Sequence, residues 1–343
     1  MIRVNLGLQG GGAHGAFTWG VLDRLLEEED IEVTAISGTS AGAMNAAAYK
    51  AGLLAGGRAG ARANLDWFWG QVGAINAPFA QDWLAALAPS IKGFAAMLEM
   101  SPGFQVFETA TRMTSPYVYG PMLRNPLARI LSDMRFEHVC SDDGPRLFVG
   151  ATNVRTGKIR VFAGQEITVD ALLASACLPT LFQAVEIDDA ATGRREAYWD
   201  GGYTGNPALF PLYDMDLPDD VLIVGINPVV RDKLPRTPEA IANRINEIGF
   251  NSSLLRELRS IDFVRRLLDD HKIAPGTMKR VLVHMIDDDA LMNDLNVATK
   301  TFPVPVILAR LKAAGRAAMD AFLRDHKADL GRRDTVDLRA MFS

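Results

Sequence analysis

The sequence contains little cysteine, little histidine and no excess of basic residues. Its 343 residues include only Cys140 and Cys177, which are far apart and match no metal-ligand spacing. We therefore expect free thiols in a reducing compartment rather than a disulfide framework. The net charge of −5 lacks the basic footprint that nucleic-acid binding requires, so no nucleic-acid partner is expected.

Long uncharged apolar runs are also absent. Residues 1–15 lack the apolar core of a signal peptide, and the longest uncharged runs are interrupted by Gly, Ser and Thr. These features predict a cytoplasmic protein without a spanning helix. Peripheral contact with a membrane stays open, because a local apolar patch is sufficient for it.

The first fifty residues alternate strand and helix patterns. Residues 2–8 and 31–37 predict strands, while residues 13–29 and 41–52 predict helices, the second of them ended by Gly52. Such a βαβα opening favours a parallel sheet covered by helices. With 48% hydrophobic residues, the chain is long enough to bury a large core.

Residues 53–135 depart from this alternation and predict a helical insertion or cap within a catalytic domain at 1–212. Strands and helices at 213–343 are expected to pack on the same domain. The insertion is rich in aromatic and methionine side chains, which either form an ordinary helical core or line an apolar substrate cleft. They are Trp67, Phe68, Trp69, Phe79, Trp83, Phe94, Met97, Met100, Phe104, Phe107, Tyr117 and Tyr119.

A glycine-rich loop follows the first predicted strand. It consists of Gly10, Gly11, Gly12, Ala13, His14 and Gly15. Its GxGxxG spacing is shared with dinucleotide sites, but those need an acid at the end of the next strand, and Glu32 stands at the beginning. A phosphate loop would need a Lys-Ser/Thr pair after Gly15, and none follows. A third interpretation is an oxyanion site made of unobstructed backbone N–H groups at a helix start.

A second glycine-rich motif surrounds Ser40. It consists of Gly38, Thr39, Ser40, Ala41 and Gly42, between a β-branched run and an Ala/Met-rich run. This pattern is typical of a nucleophile on a tight strand-to-helix turn. A serine hydroxyl is a poor nucleophile unless another group takes its proton.

Two interpretations of that proton acceptor remain open from the residues alone. The order Ser40, Asp200, His284 matches a hydrolase triad, although His284 lies in an apolar strand and Ser40 follows only the second strand. Alternatively, Asp200 accepts the proton directly, since burial would raise the pKa of its carboxyl. Gly201 and Gly202 after it would allow close approach, although Asp-Gly is also a common hairpin signal.

Three motifs in this order resemble the patatin-like phospholipases: GGGAHG (10–15), GTSAG (38–42) and DGG (200–202). The segments GATNVRTGK (150–158) and ASACLPTLF (174–182) are similar to family segments, and the resemblance covers roughly residues 2–212. It implies a three-layer α/β/α fold with a mainly parallel central sheet. It also implies hydrolysis of phospholipids or related long-chain acyl esters without a metal or cofactor.

By the same resemblance, Ser40 is the nucleophile and Asp200 the proton acceptor, and Gly11 and Gly12 donate to the oxyanion with help from Ala41. One position departs from the family, which usually carries Arg or Lys where this chain has His14. Either His14 titrates near neutrality and makes activity more dependent on pH, or it is a harmless surface residue at the helix start. Alternative functions are an acyl thioesterase or acyltransferase using the same dyad, a nucleotide-binding protein, or an inactive scaffold.

Overall fold

The strands form one mixed sheet. A computed structural model describes residues 1–75, 90–119, 125–274 and 276–342. Its strands are β1 (Ile2–Leu8), β2 (Ile31–Thr39), β3 (Arg146–Asn153), β4 (Ile159–Ala163), β5 (Val185–Asp189), β6 (Arg194–Asp200), β7 (Asp220–Val224) and β8 (Leu282–Ile286). Within the described residues they lie in the order β5-β6-β3-β2-β1-β7-β8, and β4 also pairs with β3. Neighbouring strands from β3 to β8 are parallel, while β4 and β6 each pair antiparallel with β3, and β5 pairs antiparallel with β6.

The helices come mostly between these strands. They are α1 (Ala16–Leu25), α2 (Ala41–Ala74), α3 (Ile91–Glu99), α4 (Pro102–Met113), α5 (Pro116–Tyr119), α6 (Leu127–Ser132), α7 (Phe136–Val139), α8 (Val169–Ser175), α9 (Pro238–Asp269), α10 (Asp289–Asn293), α11 (Val297–Thr301), α12 (Pro305–His326) and α13 (Leu338–Met341). Short 3₁₀ turns occur at Gly12–Gly15, Gly164–Glu166, Gly201–Tyr203, Phe210–Tyr213 and Lys327–Asp329.

Two hydrophobic cores lie on opposite faces of the sheet. Along β7, Leu222 and Val224 join a core with α1, α2 and α12, whereas Val221 and Ile223 join a second core with α9. This alternation follows from the two-residue period of a strand and gives two helical layers around a central sheet. The predicted three-layer α/β/α fold with a helical insertion is confirmed.

Two predicted helix boundaries are wrong. The first helix ends at Leu25 rather than at residue 29. The second does not stop at Gly52 but continues to Ala74, with its kink at Gly56 and Gly57, where the backbone leaves helical angles. Gly52 instead allows the second half of α2 to pack closely, since a side chain there would collide with the backbone of Gly60.

Part of the aromatic insertion forms ordinary helical core, and the substrate-cleft interpretation stays a prediction. Phe68, Trp69 and Phe94 belong to the core, whereas Met97 and Met100 are exposed. Phe79 and Trp83 lie outside the described residues, as does the side chain of Tyr119. Among the described residues, no helix combines the length and apolarity needed to cross a membrane.

Candidate active site

The predicted site residues meet at the carboxyl ends of β1 and β2. The two strands are parallel and pair over their last residues, Leu8 with Gly38. The loop after β1 and the turn after β2 therefore leave the sheet at the same edge, where ligands bind in open α/β sheets. A Cβ placed on Gly10 would lie 2.7 Å from the Cβ of Ser40, so the glycine loop touches the serine turn directly.

Ser40 occupies a strained turn between β2 and α2. Its φ of 52° lies in the left-handed region, which costs a non-glycine residue of the order of 1–3 kcal/mol and is concentrated at functional sites. The Ser40 N–H donates to Oγ of Ser175 at 2.9 Å, and that hydroxyl donates to the carbonyl of Gly150 at 2.6 Å. Ser40 is 7% exposed, so its side chain lies almost entirely within the protein.

Buried amide side chains hold the loop that begins at Gly10. The N–H of Gly10 donates to Oδ1 of Asn206 at 2.6 Å, and its carbonyl accepts from Nδ2 of Asn227 at 2.8 Å. Oε1 of Gln9 accepts from the backbone N–H groups of Ile226 and Asn227. Hydrogen bonds from both sides therefore fix the backbone of this loop.

The remaining loop residues connect this loop to α2. Gly15 packs against the Cβ of Ala41, and its carbonyl accepts from Nδ2 of Asn45 at 3.0 Å. Ala41 is the first residue of α2, and the first N–H groups of a helix have no intrahelical acceptor. The N–H of Ala41 therefore has no acceptor within α2. Gly12 has a φ of 58°, and a side chain there would collide with the carbonyl oxygen of Lys300. Only glycine fits that position.

Asp200 ends β6 and is 1% exposed. Burial raises the pKa of its carboxyl to about 7, against the opposing effect of hydrogen bonds from the N–H of Gly202 and the side chain of Ser40. The N–H of Gly202 donates to Oδ1 of Asp200 at 2.7 Å, so the turn that follows Asp200 orients its carboxylate. A carboxylate with a pKa near 7 beside a serine has the property expected of a general base.

The structure contradicts both interpretations of His14. The side chain is 1% exposed, so it is not a surface residue, and its Nε2 lies 2.9 Å from Oγ1 of Thr299. Burial, with Lys300 and Arg231 nearby, lowers its pKa well below the usual value. His14 is therefore neutral at pH 7, and a strong pH dependence of activity through its titration is no longer expected.

His284 does not approach the proposed nucleophile as a triad base. It is buried in β8, with Nε2 2.9 Å from Oδ1 of Asp220 and Nδ1 3.2 Å from Oγ1 of Thr335. Both ring nitrogens thus have structural partners, and the carboxylate beside the imidazole is Asp220 rather than Asp200. Within the described ranges, no cluster of three or more His, Cys, Asp or Glu side chains could hold a metal ion.

Several residues of the site had no assigned role in the sequence analysis. Ser175 lies in the family-like segment 174–182, so its position was marked but its bond to Ser40 was not. No sequence motif includes Asn206, Asn227 or Lys300. They are far from the loop in sequence and contact it, or each other, only in the folded chain.

Known proteins resemble the chain in structure and in sequence. Among solved structures, the chain is similar to VipD from Legionella pneumophila, with 17% sequence identity and a TM-score of 0.41 over 95% of this chain and 67% of that one. No match was found among curated proteins. The family model described as "Patatin-like phospholipase" matches residues 6–213, more than half of the chain. The chain belongs to the patatin-like phospholipase family.

Proposed function

We propose that the chain is a lipid acyl hydrolase that cleaves phospholipids or related long-chain acyl esters through a Ser40–Asp200 dyad. Its family membership indicates lipid acyl hydrolase activity. The observation that carries the finer proposal is a buried carboxyl with a pKa of about 7 that interacts with the Ser40 side chain. The glycine loop beside Ser40 supports the same reaction class, acyl transfer.

In the proposed first half-reaction, Asp200 takes the hydroxyl proton as Ser40 Oγ attacks the ester carbonyl. The N–H groups of Gly11, Gly12 and Ala41 receive the oxyanion that forms. The tetrahedral intermediate then expels the alcohol, which leaves with the proton from Asp200. An acyl-Ser40 ester remains.

In the second half-reaction, water replaces the alcohol. Asp200 removes a proton from water as its oxygen attacks the acyl carbon, and the same N–H groups receive the oxyanion. Collapse releases the fatty acid, and Ser40 recovers its proton from Asp200. Because Asp200 must be ionised to start each half-reaction, activity is expected to rise as pH increases through about 7.

Release of fatty acid from mixed phospholipid vesicles tests the dyad. Ser40→Ala and Asp200→Asn should each abolish release, whereas the exposed matched controls Ser132→Ala and Asp188→Asn should retain it. Full activity in Asp200→Asn would refute the dyad. Cleavage of long-chain acyl thioesters without release from phospholipids would instead favour the thioesterase alternative.

We also propose peripheral contact with a lipid surface through an apolar stripe at the site's edge of the sheet. The stripe comprises Val230, Leu234, Ile241, Ile245 and Ile248, all exposed. The last three follow the spacing of one helix face on the first half of α9, which starts after the carboxyl end of β7. Tyr203, next to the Gly201–Gly202 turn, is also exposed, and its ring contacts Phe250 on the buried face of α9.

Co-sedimentation with the same vesicles tests this contact. Ile245→Glu should reduce binding and vesicle hydrolysis while leaving hydrolysis of a short, soluble ester unchanged. Met215→Glu is the matched control, because Met215 is similarly exposed but precedes β7 and so lies at the opposite end of the sheet. Equal binding by both variants would refute the lipid contact.

A further inference from the structure

Lys300 lies against the oxyanion loop although it comes from the far end of the chain. Its carbonyl faces Gly12, and the preceding Thr299 holds His14. The short helix α11 therefore covers the loop. Since His14 is neutral, the glycine loop carries no side-chain charge of its own. The ammonium group of the half-buried Lys300 is a cation next to this loop.

A chain of hydrogen bonds leads from this cation to the predicted oxyanion donors. Nζ of Lys300 donates to Oδ1 of Asn227 at 3.2 Å, and Nδ2 of Asn227 donates to the carbonyl of Gly10 at 2.8 Å. The carbonyl of Gly10 and the N–H of Gly11 belong to one peptide group. Hydrogen bonds in a chain polarise one another, so a cation at one end strengthens the donor at the other.

We propose that Lys300 is a positioning residue that, through Asn227, holds and polarises the Gly10–Gly11 peptide for the oxyanion. This inference rests on the proposed ester hydrolysis at Ser40. It goes beyond that hydrolysis by giving residues past 213 a part in transition-state stabilisation.

The charges around Lys300 leave its ammonium group available for this role. Glu247, on α9, is paired with Arg231 at 2.6 Å and with Arg244 at 3.3 Å, so its carboxylate acts on Lys300 only as a neighbouring charge. On α3, which packs on α11, Lys92 pairs with Asp294 and Glu99 accepts from Asn296. The loop contributes only the neutral His14.

Loss of the charge on Lys300 should change the rate of hydrolysis at alkaline pH. Burial lowers the pKa of its ammonium to about 8, Glu247 acts in the opposite direction, and Arg231 adds to the lowering. The group therefore loses its charge as pH rises through about 8. Hydrolysis should rise through pH 7 as Asp200 ionises and fall again above pH 8 as Lys300 becomes neutral.

The test uses p-nitrophenyl butyrate, a soluble ester that needs no lipid surface. Removing a direct oxyanion donor lowers the rate by about a hundred- to a thousand-fold. Lys300 acts on such a donor only through Asn227 and the Gly10–Gly11 peptide, so Lys300→Met should lower kcat less, by about ten-fold. Its KM should stay unchanged and its alkaline fall should disappear. Lys300→Arg should restore kcat, also without the alkaline fall, because arginine stays charged.

The exposed Lys92→Met is the matched control and should keep the wild-type rate and profile. If Lys300→Met hydrolyses the ester like Lys92→Met, or if the alkaline fall persists in both Lys300 variants, the inference is wrong while the proposed hydrolysis stands. If the wild type hydrolyses neither this ester nor phospholipid, the proposed function fails and the inference with it.

Discussion

Replacing Asp200 with asparagine should abolish hydrolysis and at the same time stabilise the folded protein above neutral pH. An ionised carboxylate is disfavoured at this buried position, which raises the pKa from 3.8 to about 7. The native state therefore retains a proton that the unfolded chain has released. Between about pH 4 and pH 7, the free energy of unfolding falls as pH rises.

The magnitude follows from the size of that shift. A shift of about 3 units corresponds to about 4 kcal/mol, since each unit is worth 1.36 kcal/mol. Asparagine stays neutral at every pH, and its carbonyl can still accept from the N–H of Gly202. The free energy of unfolding of Asp200→Asn should therefore equal that of the wild type below pH 4 and exceed it by about 4 kcal/mol above pH 7.

Urea unfolding at pH 4.5 and pH 8, followed by tryptophan fluorescence, measures this difference. Asp188→Asn serves as the control, because the Asp188 side chain is 83% exposed and its replacement should change stability little at either pH. An Asp200→Asn variant that is less stable than wild type at pH 8, or whose advantage does not grow with pH, would refute the assignment of a buried carboxyl with a raised pKa.

Three further predictions concern groups around the dyad. His14→Gln should leave the shape of the pH–rate profile unchanged, because the wild-type imidazole is already neutral; a shifted profile would contradict this. Gly12→Ala should lower thermal stability and activity together, since the new methyl collides with the carbonyl of Lys300; unchanged melting and rate would exclude that contact. Ser175→Ala removes the acceptor for the N–H of Ser40, so for a soluble ester it should lower kcat and change KM little. A change in KM alone would assign Ser175 to substrate binding instead.

Local patterns were sufficient to predict the opening of the fold. The strand β1, the elbow at Ser40 and the loop at Gly10 each depend on residues adjacent in sequence, and parallel pairing of β1 with β2 then brings the last two together. The same reasoning failed at Gly52, where glycine signals a helix end in sequence but serves close packing in the structure. Local sequence does not reveal which of the two reasons applies.

The electrostatic properties of single residues were harder to predict, because burial decides them. His14 lies in a glycine-rich loop, where exposure is the usual expectation, yet α11 covers it, and this burial lowers its pKa. The high pKa of Asp200 was predicted only on the assumption that the position is buried. In both cases the covering element lies far away in sequence, so the pattern around the residue cannot report it.

The groups that hold the loop also determine which parts of the site respond to pH. Gln9, Asn206 and Asn227 are amides, which donate and accept hydrogen bonds without ever titrating. The protonation of these amides therefore does not change with pH while the protein stays folded. Changes of activity near neutrality must then come from groups that do titrate there, and in the described part of the site these are Asp200 at about 7 and Lys300 at about 8. The two act in opposite directions, so the proposed hydrolysis should be fastest in the narrow interval between them.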